Sequence, residues 1–398
     1  MRDVTSIIAA VVFATVCRSA TGATSYVDDS VAASGDGTSW DTAFKMIQEG
    51  IDAASHGDTV VVAEGVYAGA SFKGKNIMLV STNPRDPAVV ARTIMDGNGR
   101  YVIVDFEGTE DETCVLSGFT VRNGYAPDSD GGAGIWGAGT HATVENNVIT
   151  DNRNDERGGG IGGCHGLIQN NIICNNLAGK PLWPGYGGGL YFCDGTIRNN
   201  TVVFNGVTSA WLYVPPDGLT WVPGEGSAMY ECRGTIQNCI FWGHSEPQIS
   251  ACSEPISSLI GVDPQFVDSQ TGDFRLRRTS PCIDAGFNDP DLPEVDIAGM
   301  PRIMYGGKSF TVDIGAYEFF YTGVQNGPGP DETTLVWSFV PDKTYSIFYS
   351  SDLLTWHLAI ASFPSSGNTT SSWIDDGTTT GVLPSLVPRR FYRLLENP

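Results

Sequence analysis

An all-β fold, in which the chain winds as a stack of parallel coils, is predicted by two features of the sequence. One short segment recurs between Gly131 and Gly243, as TVENNVITDN, LIQNNIICNN, TIRNNTVVFN and TIQNCIFWG, after a weaker copy, VLSGFTVRNG. The copies lie about 25 to 40 residues apart, which is the size of one unit in a solenoid. β-Branched and apolar residues flank each Asn pair without helical spacing, so the repeated unit is predicted to contain strands.

Two columns of residues appear when the copies are aligned. The first contains Ser117, Asn146, Asn170, Asn199 and Asn238, and the second contains Gly118, Asn147, Asn171, Asn200 and Cys239. Gly and Asn tolerate a left-handed backbone best, so the second column, in which Gly118 replaces Asn, is predicted to form a tight turn. Coils one strand spacing apart, about 4.8 Å, would let the Asn side chains bond to one another along the stack.

The Asn repeat, with Gly-rich lead-ins at 158–160 and 187–189, resembles that of the right-handed parallel β-helix proteins of the pectate-lyase-like superfamily. The N-terminal stretch YVDDSVAASGDGTSWDTAF, followed by GDTVVVAEGVY, is similar to the way many of these proteins begin. The later run SPCIDAG, DIAGMPR and VDIGAYEF resembles the closing segment of choice-of-anchor Q proteins. The resemblance covers roughly residues 25–320 and implies a right-handed β-helix. It implies less about activity, because one fold hosts many functions.

Residues 1–23 are interpreted as a secretory signal peptide. Arg2 supplies a basic start, the run from Ile7 to Val16 supplies a short apolar core, and the small residues at 21–23 offer a cleavage site. The apolar run is too short to span a bilayer. We therefore expect a secreted protein that acts outside the cell or at the cell surface.

The β-helix is expected over residues 24–322, with a cap at its start and a closing segment at its end. A helix over residues 41–56 is predicted as the cap, with Asp41 as its N-cap and an apolar stripe that covers the open end of the solenoid. The Gly- and Pro-rich residues 323–333 are predicted to be a linker. Alternating residues over 334–398 predict a small C-terminal β-sandwich module. No hydrophobic tail follows it, so we expect no transmembrane anchor in the mature chain.

The chain is strongly acidic, with 23 basic and 45 acidic residues and a formal net charge of -22. Such a surface repels phosphate backbones, so nucleic-acid binding is not expected. It also opposes anionic polysaccharides unless Ca²⁺ bridges the two. The expected partner is a polysaccharide or cell-surface glycan, and the protein is expected to be a monomer. A solvated acidic surface without any such role is the plainer interpretation of the charge.

Three cysteines share one position in the repeat. Cys164, Cys193 and Cys232 each lie six residues before the first Asn column, so they are predicted to stack in neighbouring coils. Adjacent rungs fall within the Cα range that a disulfide accepts, and an oxidising destination permits one. A buried ladder of free thiols and a single disulfide both remain open.

Two insertions, residues 176–187 and 205–226, interrupt the repeat. They carry the aromatic candidates for substrate binding, Trp183, Tyr186, Trp211, Tyr213 and Trp221. Aromatic rings stack on the apolar faces of sugars, and loops on a rigid scaffold commonly carry binding residues. Both insertions follow the Asn turn at a similar distance, so they are predicted to rise from the same side and to wall a groove.

Two polar columns are candidates for the floor of this groove. Five positions before the first Asn column lie His141, His165, Asp194 and Arg233; one position before it lie Glu145, Gln169, Arg198 and Gln237. Titratable neighbours at strand spacing shift one another's pKa and can abstract a proton. The plainer interpretation is a turn position that accepts polar residues.

Engagement of a polysaccharide is the function that these features favour. Lyases of the resembled superfamily remove a proton α to a uronate carboxylate, and the resemblance makes β-elimination the first enzymatic hypothesis. His165 or Arg198 is then the base, the other neutralises the carboxylate, and Asp194 orients the His; His141 and Arg233 are candidates for substrate binding. A non-catalytic surface, adhesion or structural protein is the main alternative, and a glycoside hydrolase is the second.

A calcium site is the one cofactor hypothesis. The loop after the second copy contains Asp151, Asp155 and Glu156 as candidate ligands, because Ca²⁺ prefers carboxylate oxygens. Arg153 and Arg157 interleave with them, so an ordinary charged loop is the alternative.

Overall fold

The structure, a computed structural model, describes residues 22–127, 131–214, 218–245, 247–304, 306, 308–338, 340, 343–364, 370–387 and 389–397. The predicted signal peptide thus lies almost wholly outside the described residues. Parallel sheets dominate residues 24–260, and the described sheets beyond residue 266 are antiparallel. Among the described helices, none has the length and apolar character that a membrane crossing requires.

Three long parallel sheets form the walls of a solenoid. Sheet 1 contains Thr24–Val27, Thr59–Val62, Met78–Ser81, Val115–Ser117, Thr143–Glu145, Leu167–Gln169, Thr196–Arg198 and Thr235–Gln237. Sheet 2 contains Gly65–Tyr67, Thr93–Asp96, Thr120–Arg122, Val148–Thr150, Ile172–Cys174, Thr201–Val203, Ile240–Trp242 and Leu259–Ile260. Sheet 3 contains Ala70–Ser71, Val104–Asp105, Ile135–Thr140, Ile161–Cys164, Leu190–Tyr191, Met229–Tyr230 and Ile249–Ser250. A short sheet 4 contains Tyr125–Ala126, Arg153–Asn154, Leu177–Ala178 and Gly206–Val207.

The core lies inside the coils, where equivalent residues stack in register. In sheet 1 the inward positions pair as Leu116, Val144, Ile168, Ile197 and Ile236, and all five are buried. Side chains alternate between the inside and the outside along each strand, so the residues next to these inward positions face away from the core. The register therefore decides which side chains meet on the outer surface.

The corner between sheets 1 and 2 corrects one detail of the sequence alignment. Glu145 pairs with Ser117, so Gly118 is level with Asn146 and not with Asn147. The left-handed backbone accordingly occurs in the first Asn column, with φ of 89° at Gly118 and 55° at both Asn146 and Asn170. The turn chemistry was predicted correctly, but it belongs one residue earlier, because the weak copy had been aligned one residue out of register.

The second Asn column forms a buried hydrogen-bonded ladder. Asn171 Oδ1 accepts from the backbone N of Asn147 at 3.0 Å and from its Nδ2 at 3.2 Å. Asn171 Nδ2 donates to the carbonyl of Val144 at 2.8 Å, and Asn200 repeats the arrangement one coil on. Each side chain thus satisfies backbone groups that the corner removes from the sheets, and such groups are costly to bury unpaired.

A second ladder, not predicted from the sequence, repeats this chemistry at the corner after sheet 2. Asn152, Asn176 and Asn205 bond in the same way, with backbone N to Oδ1 distances of 3.1 Å and 2.9 Å between successive coils. His244 continues the column, since its Nδ1 accepts from the backbone N of Asn205 at 3.1 Å. The signal was present, because each of these Asn residues ends one copy of the repeat.

The N-terminal cap is shorter than the helix predicted over 41–56. Its α-helix is Ile47–Ala53, preceded by a 3₁₀ turn at Trp40–Thr42, and a second short helix occurs at Pro87–Val90. Asp41 is therefore not an N-cap, because Phe44 is held extended by donating its backbone N to the carbonyl of Tyr26 at 2.9 Å. The helix still buries Ile47 and Ile51 in the core, as the apolar stripe predicts.

The closing segment folds back onto the outside of the solenoid through one buried arginine. After the hairpin Phe266–Asp268 and Asp273–Leu276, Arg302 donates to Glu318 Oε1 at 2.9 Å and to the carbonyl of Gly315 at 3.1 Å. It also donates to Oδ1 of Asn170 in the first Asn column. Asp296 accepts from three backbone N–H groups, including that of Glu318 at 2.8 Å. These buried bonds form an internal clamp, made by Arg302, Glu318 and Asp296, that holds the closing segment against the coils.

The C-terminal region contains two antiparallel three-stranded sheets. One comprises Thr322–Asn326, Thr333–Ser338 and Thr370–Asp375, and the other comprises Thr344–Ser350, His357–Pro364 and Phe391–Glu396. They enclose a small core around Trp337. The first strand pairs with Thr333–Ser338. It overlaps the start of the segment 323–333, for which the sequence predicts a linker.

We predict that Asn171→Ala destabilises the protein by about 3 kcal/mol, because it leaves the buried N–H of Asn147 and the carbonyl of Val144 without their partner. The urea midpoint of unfolding measures the change. Asn83→Ala, at an exposed residue whose side chain accepts one 3.3 Å bond, is the matched control and should cost less than about 0.5 kcal/mol. Equal losses in the two variants would contradict a structural role for the ladder.

We predict that Arg302→Met costs about 3 to 5 kcal/mol, because it leaves the buried carboxylate of Glu318 without its cation. Arg275→Met, which breaks a solvent-exposed pair with Asp273, should cost less than about 1 kcal/mol. Urea unfolding of both variants separates the outcomes. A negligible loss at Arg302 would show that the clamp does not hold the closing segment.

We also predict a pH dependence from Asp313, whose backbone N donates to Glu318 Oε1 of the clamp at 3.2 Å. Burial raises the pKa of Asp313 to about 7, against 3.8 for an ordinary Asp. The folded state therefore keeps a proton that the unfolded chain releases, so this contribution to stability is lost as pH rises from about 4 to about 7. Asp313→Asn should reduce the fall in Tm between pH 5 and pH 8. An unchanged pH slope in that variant would refute the assignment.

Candidate functional site

The two insertions leave the solenoid at the same corner and touch each other. Each follows a strand of sheet 4 and precedes a strand of sheet 3, and the second contains the hairpin Ala210–Val214 and Gly218–Val222. Thr208 Oγ1 donates to the carbonyl of Trp183 at 2.7 Å, and the backbone N of Gly185 donates to Thr208 at 2.8 Å. The predicted common wall is therefore present.

The wall carries exposed tryptophans. Trp183 is 53% exposed, and Trp211 and Trp221 are 59% and 49% exposed. The latter two are cross-strand partners in the hairpin, with ring centroids 5.5 Å apart. The side chain of Tyr213 lies outside what the structure describes. Exposed rings of this size contribute little to the core and are free to contact a ligand.

A continuous series of aromatic rings runs from the first insertion across sheet 3; we call it the aromatic strip. It comprises Tyr186, Tyr230, Tyr191, Phe192, His165 and His141, with successive centroid distances of 5.0, 6.3, 6.2, 5.0 and 6.4 Å. Register explains it, because Tyr191 pairs directly with Tyr230. Tyr191 is largely buried, at 7% exposure, whereas Phe192 is 37% exposed. The strip thus joins the predicted insertion to the predicted His column.

Two cations lie over this surface. The guanidinium of Arg157 is 5.9 Å from the ring centre of Tyr186 and 5.8 Å from that of Tyr191, and its Nη1 donates to the Tyr191 hydroxyl at 3.0 Å. Lys180 Nζ lies 5.9 Å from the ring centre of Trp183. Positive charge over aromatic faces is favourable and offers donors to hydroxyl or carboxylate oxygens.

The predicted His column is assembled, but its bonds differ from the expected ones. The backbone N of Asp194 donates to His165 Nδ1 at 3.2 Å, and the Asp194 carboxylate accepts from the backbone N of Arg233 at 2.8 Å. Asp194 thus orients His165 through its main chain. Because Nδ1 accepts a hydrogen bond, the neutral ring carries its proton on Nε2. The catalytic roles of these residues stay predictions.

Arg198 lies beside this column and is largely buried. It is 8% exposed, its Nε donates to Gln169 Oε1 at 3.0 Å, and Gln169 donates to Glu145 at 2.7 Å. Burial lowers the pKa of Arg198 from its usual value, while nearby Asp291 opposes the change. His141, His165 and Arg198 line one shallow cleft of about 380 Å³. The structure therefore brings the proposed base and its partner to one recess.

The acidic loop does not converge on one point. Asp155 Oδ2 accepts from the Tyr125 hydroxyl at 3.0 Å and lies 3.5 Å from Lys180 Nζ, whereas Asp151 accepts from the hydroxyl of Thr150. Within the described residues, no three His, Cys, Asp or Glu side chains group as metal ligands. The calcium hypothesis, which also includes Glu156, stays a prediction without a donor set in this loop.

Comparison with known proteins identifies the solenoid. Residues 83–256 match the family model described as a right handed beta helix region. These coils form a right-handed parallel β-helix. Among solved structures, the chain is similar to the crystal structure of pectate lyase Pel9A, at 14% identity and a TM-score of 0.32, over 74% of this chain and 96% of that one. A likeness of this size does not extend to activity. No curated protein matches the sequence.

A further recess among the described residues was not predicted from the sequence. It holds about 760 Å³ outside sheet 2, with Val148 and Ile172 on its floor and Phe274 and Tyr317 from the closing segment on one wall. Burial raises the pKa of Tyr317 to about 12, so this phenol is neutral at ordinary pH. The recess arises from the way the closing segment folds back, which the repeat does not encode. The resemblance of that segment to choice-of-anchor Q proteins stays a prediction.

Sequence reasoning also missed the central rings of the strip. Tyr191, Phe192 and Tyr230 lie within β-helix strands or corners, where apolar residues are expected to face the core. The sequence does contain a signal that these tyrosines stack on one another. Tyr191 and Tyr230 each lie two residues before a cysteine of the predicted column, in LYFC and MYEC. Strict alternation would place each tyrosine on the same face as its cysteine. A left-handed residue lies between them in both cases, Phe192 with φ of 48° and Glu231 with φ of 55°, and it breaks the alternation.

Proposed function

We propose that this protein binds a polysaccharide outside the cell, along the aromatic strip and the two insertions that wall it. The observation that carries the proposal is the unbroken series of rings from Tyr186 to His141 across neighbouring coils. An extended ligand with repeated apolar faces matches a platform of repeated rings. The export signal predicted for residues 1–23 supports the extracellular setting.

The chemistry around the strip suits a sugar polymer better than a purely apolar ligand. Tyr hydroxyls and the guanidinium of Arg157 lie among the rings, so the strip offers hydrogen-bonding groups as well as apolar surface. The exposed Trp183 and Trp221 lie on the adjoining wall and can flank a bound chain. Arg157 places positive charge among the rings of a chain whose net charge is -22, which locally offsets repulsion of a uronate-containing polymer.

β-Elimination on a uronic-acid polymer is a second candidate, favoured by the cleft that His141, His165 and Arg198 share at the end of the strip. A base must take the proton α to the carboxylate, and a cation must stabilise the charge that develops. In the observed bonding, His165 Nε2 carries the proton, so a base role for this nitrogen requires the other tautomer and release of the bond from Asp194. Binding therefore has the stronger geometric support.

We predict that Trp183→Ala and Tyr230→Leu each weaken polysaccharide binding about 10-fold, since each removes one stacking face worth about 1.4 kcal/mol. Affinity electrophoresis of the mature chain against neutral and uronate-rich polymers, with and without Ca²⁺, identifies the ligand, and calorimetry measures the loss. Trp40→Ala is the matched control, because Trp40 is 41% exposed and lies at the N-terminal end against Tyr26. An equal loss in the control, or no retained polymer, would overturn the proposal.

The lyase candidate has a separate readout. We predict that the wild-type chain releases unsaturated uronates from a bound uronate polymer. His165→Gln should lower the rate about 100-fold and weaken binding by no more than about 10-fold, the loss expected for one ring of the strip. The rise in ultraviolet absorbance measures the reaction. Full activity in a His165→Ala, Arg198→Ala double variant would reject these residues. Reducing ends without the absorbance would indicate a glycoside hydrolase, and binding with neither product would assign a non-catalytic adhesion role.

A further inference from the structure

The cysteine column is one rung longer than the sequence repeat suggests. Register in sheet 3 pairs Tyr191 with Tyr230 and Tyr230 with Ser250. Cys193, Cys232 and Cys252 each follow these residues by two positions, so they occupy equivalent places in successive coils. The repeat does not mark Cys252, because no Asn pair follows it in the sequence. The column therefore contains four cysteines on four successive coils, and Cys232 and Cys252 are its last two members.

The thiols in this column are linked by a regular hydrogen-bond pattern. The backbone N of Cys193 donates to Cys232 Sγ at 3.4 Å, and the backbone N of Cys232 donates to Cys252 Sγ at 3.3 Å. Each sulfur in turn lies near the carbonyl two residues before it, at 3.6 Å for Cys232 and 3.2 Å for Cys252. Neighbouring sulfurs thus face the same side of the core, at a rung spacing of about 4.8 Å that lies within the Cα range of disulfides.

The last rung differs from the others in its access to solvent. Among the eight cysteines that the structure describes, Cys252 alone is partly exposed, whereas Cys232 is fully buried. Cys252 opens onto a cleft of about 410 Å³ at the C-terminal end of the coils, lined also by Pro247, Ser253 and Glu254. A reagent can therefore reach this sulfur first.

We propose that Cys232 and Cys252 form a disulfide site, in which Cys252 is the entry thiol and a small-molecule disulfide is the oxidant. The side-chain bond from Cys232 lowers the pKa of the Cys252 thiol, and burial raises that of Cys232 well above its usual value. The thiolate is the attacking species, so the lower pKa of Cys252 favours its reaction before Cys232, which is the same order that solvent exposure gives.

The reaction proceeds in two balanced exchanges. The Cys252 thiolate attacks one sulfur of oxidised glutathione, so that the glutathione S–S bond breaks, a mixed disulfide forms, and one glutathione leaves with the proton that Cys252 has lost. Cys232 then gives up its proton and attacks the Cys252 sulfur, which forms the protein disulfide and expels the second glutathione. Two protein thiols are oxidised and one glutathione disulfide is reduced to two thiols.

The bond would tie the exposed final coil to the coil before it. Cys252 follows the strand Ile249–Ser250, which is the last strand of sheet 3 and pairs on one side only. The opposite end of the solenoid is covered by the helix Ile47–Ala53, whereas this end exposes Ile256 and Ile260. A covalent tie at this rung restrains the part of the stack with fewest neighbours.

The test is oxidation of the full chain with oxidised glutathione, followed by alkylation and peptide mass spectrometry. We expect the loss of two thiols per chain and a peptide cross-link between Cys232 and Cys252. Cys114, Cys239 and Cys282, which are buried outside the column, should remain alkylatable after denaturation. A cross-link between Cys193 and Cys232, or no intramolecular cross-link, would overturn the proposal.

Two variants distinguish the entry thiol from its partner. Cys252→Ser should abolish both glutathione uptake and the cross-link, whereas Cys232→Ala should still take up one glutathione at Cys252 and hold it as a mixed disulfide. Circular dichroism confirms that each variant is folded. Normal oxidation of Cys232 in Cys252→Ser would refute the order of attack, and absence of the mixed disulfide in folded Cys232→Ala would refute entry at Cys252.

Discussion

The left-handed corner with its buried Asn ladder is the constraint on which the rest of this protein depends. A coil must turn between two sheets, and the turn removes backbone groups from the strand ladders. Asn147, Asn171 and Asn200 return a partner to each of these groups, using one side-chain oxygen for the coil before and one nitrogen for a carbonyl. Since unpaired groups in this position are costly, successive coils are held at one register. That register also fixes the position of every outward-facing side chain along the stack of coils.

The aromatic strip is a consequence of this regularity. Tyr191 and Tyr230 are separated by a long insertion in sequence, yet they lie directly over one another because both coils return to the same corner. The His column forms for the same reason, although its members bond through backbone groups as well as side chains. A repeated scaffold thus turns residues that are far apart in the chain into a surface with a repeated spacing. Such a surface is suited to a ligand that itself repeats.

Much of the fold follows from the sequence, because the Asn pairs, the β-branched residues and the Gly-rich lead-ins are local signals. Register between coils is not a local signal: Gly118 lies level with Asn146 and not with Asn147, and Asp41 does not begin a helix because Phe44 pairs with an earlier strand. The clamp at Arg302 joins segments far apart in the chain, so the periodicity of the sequence does not predict its hydrogen bonds. The site was anticipated at its edges, at Trp183 and His165, but not at the tyrosines between them.

The place where the insertions emerge has a consequence for how such a protein can change. The variable part of each insertion begins after its strand of sheet 4, beyond the ladder residues Asn176 and Asn205, and ends before the next strand of sheet 3. Neither Asn ladder is therefore interrupted. The second is longer than the first, yet the strands that follow both keep their pairing. The length of an insertion at this corner therefore does not affect the stacking of the coils. Segments of different size and chemistry can be exchanged there, coil by coil, while the frame that presents them stays the same.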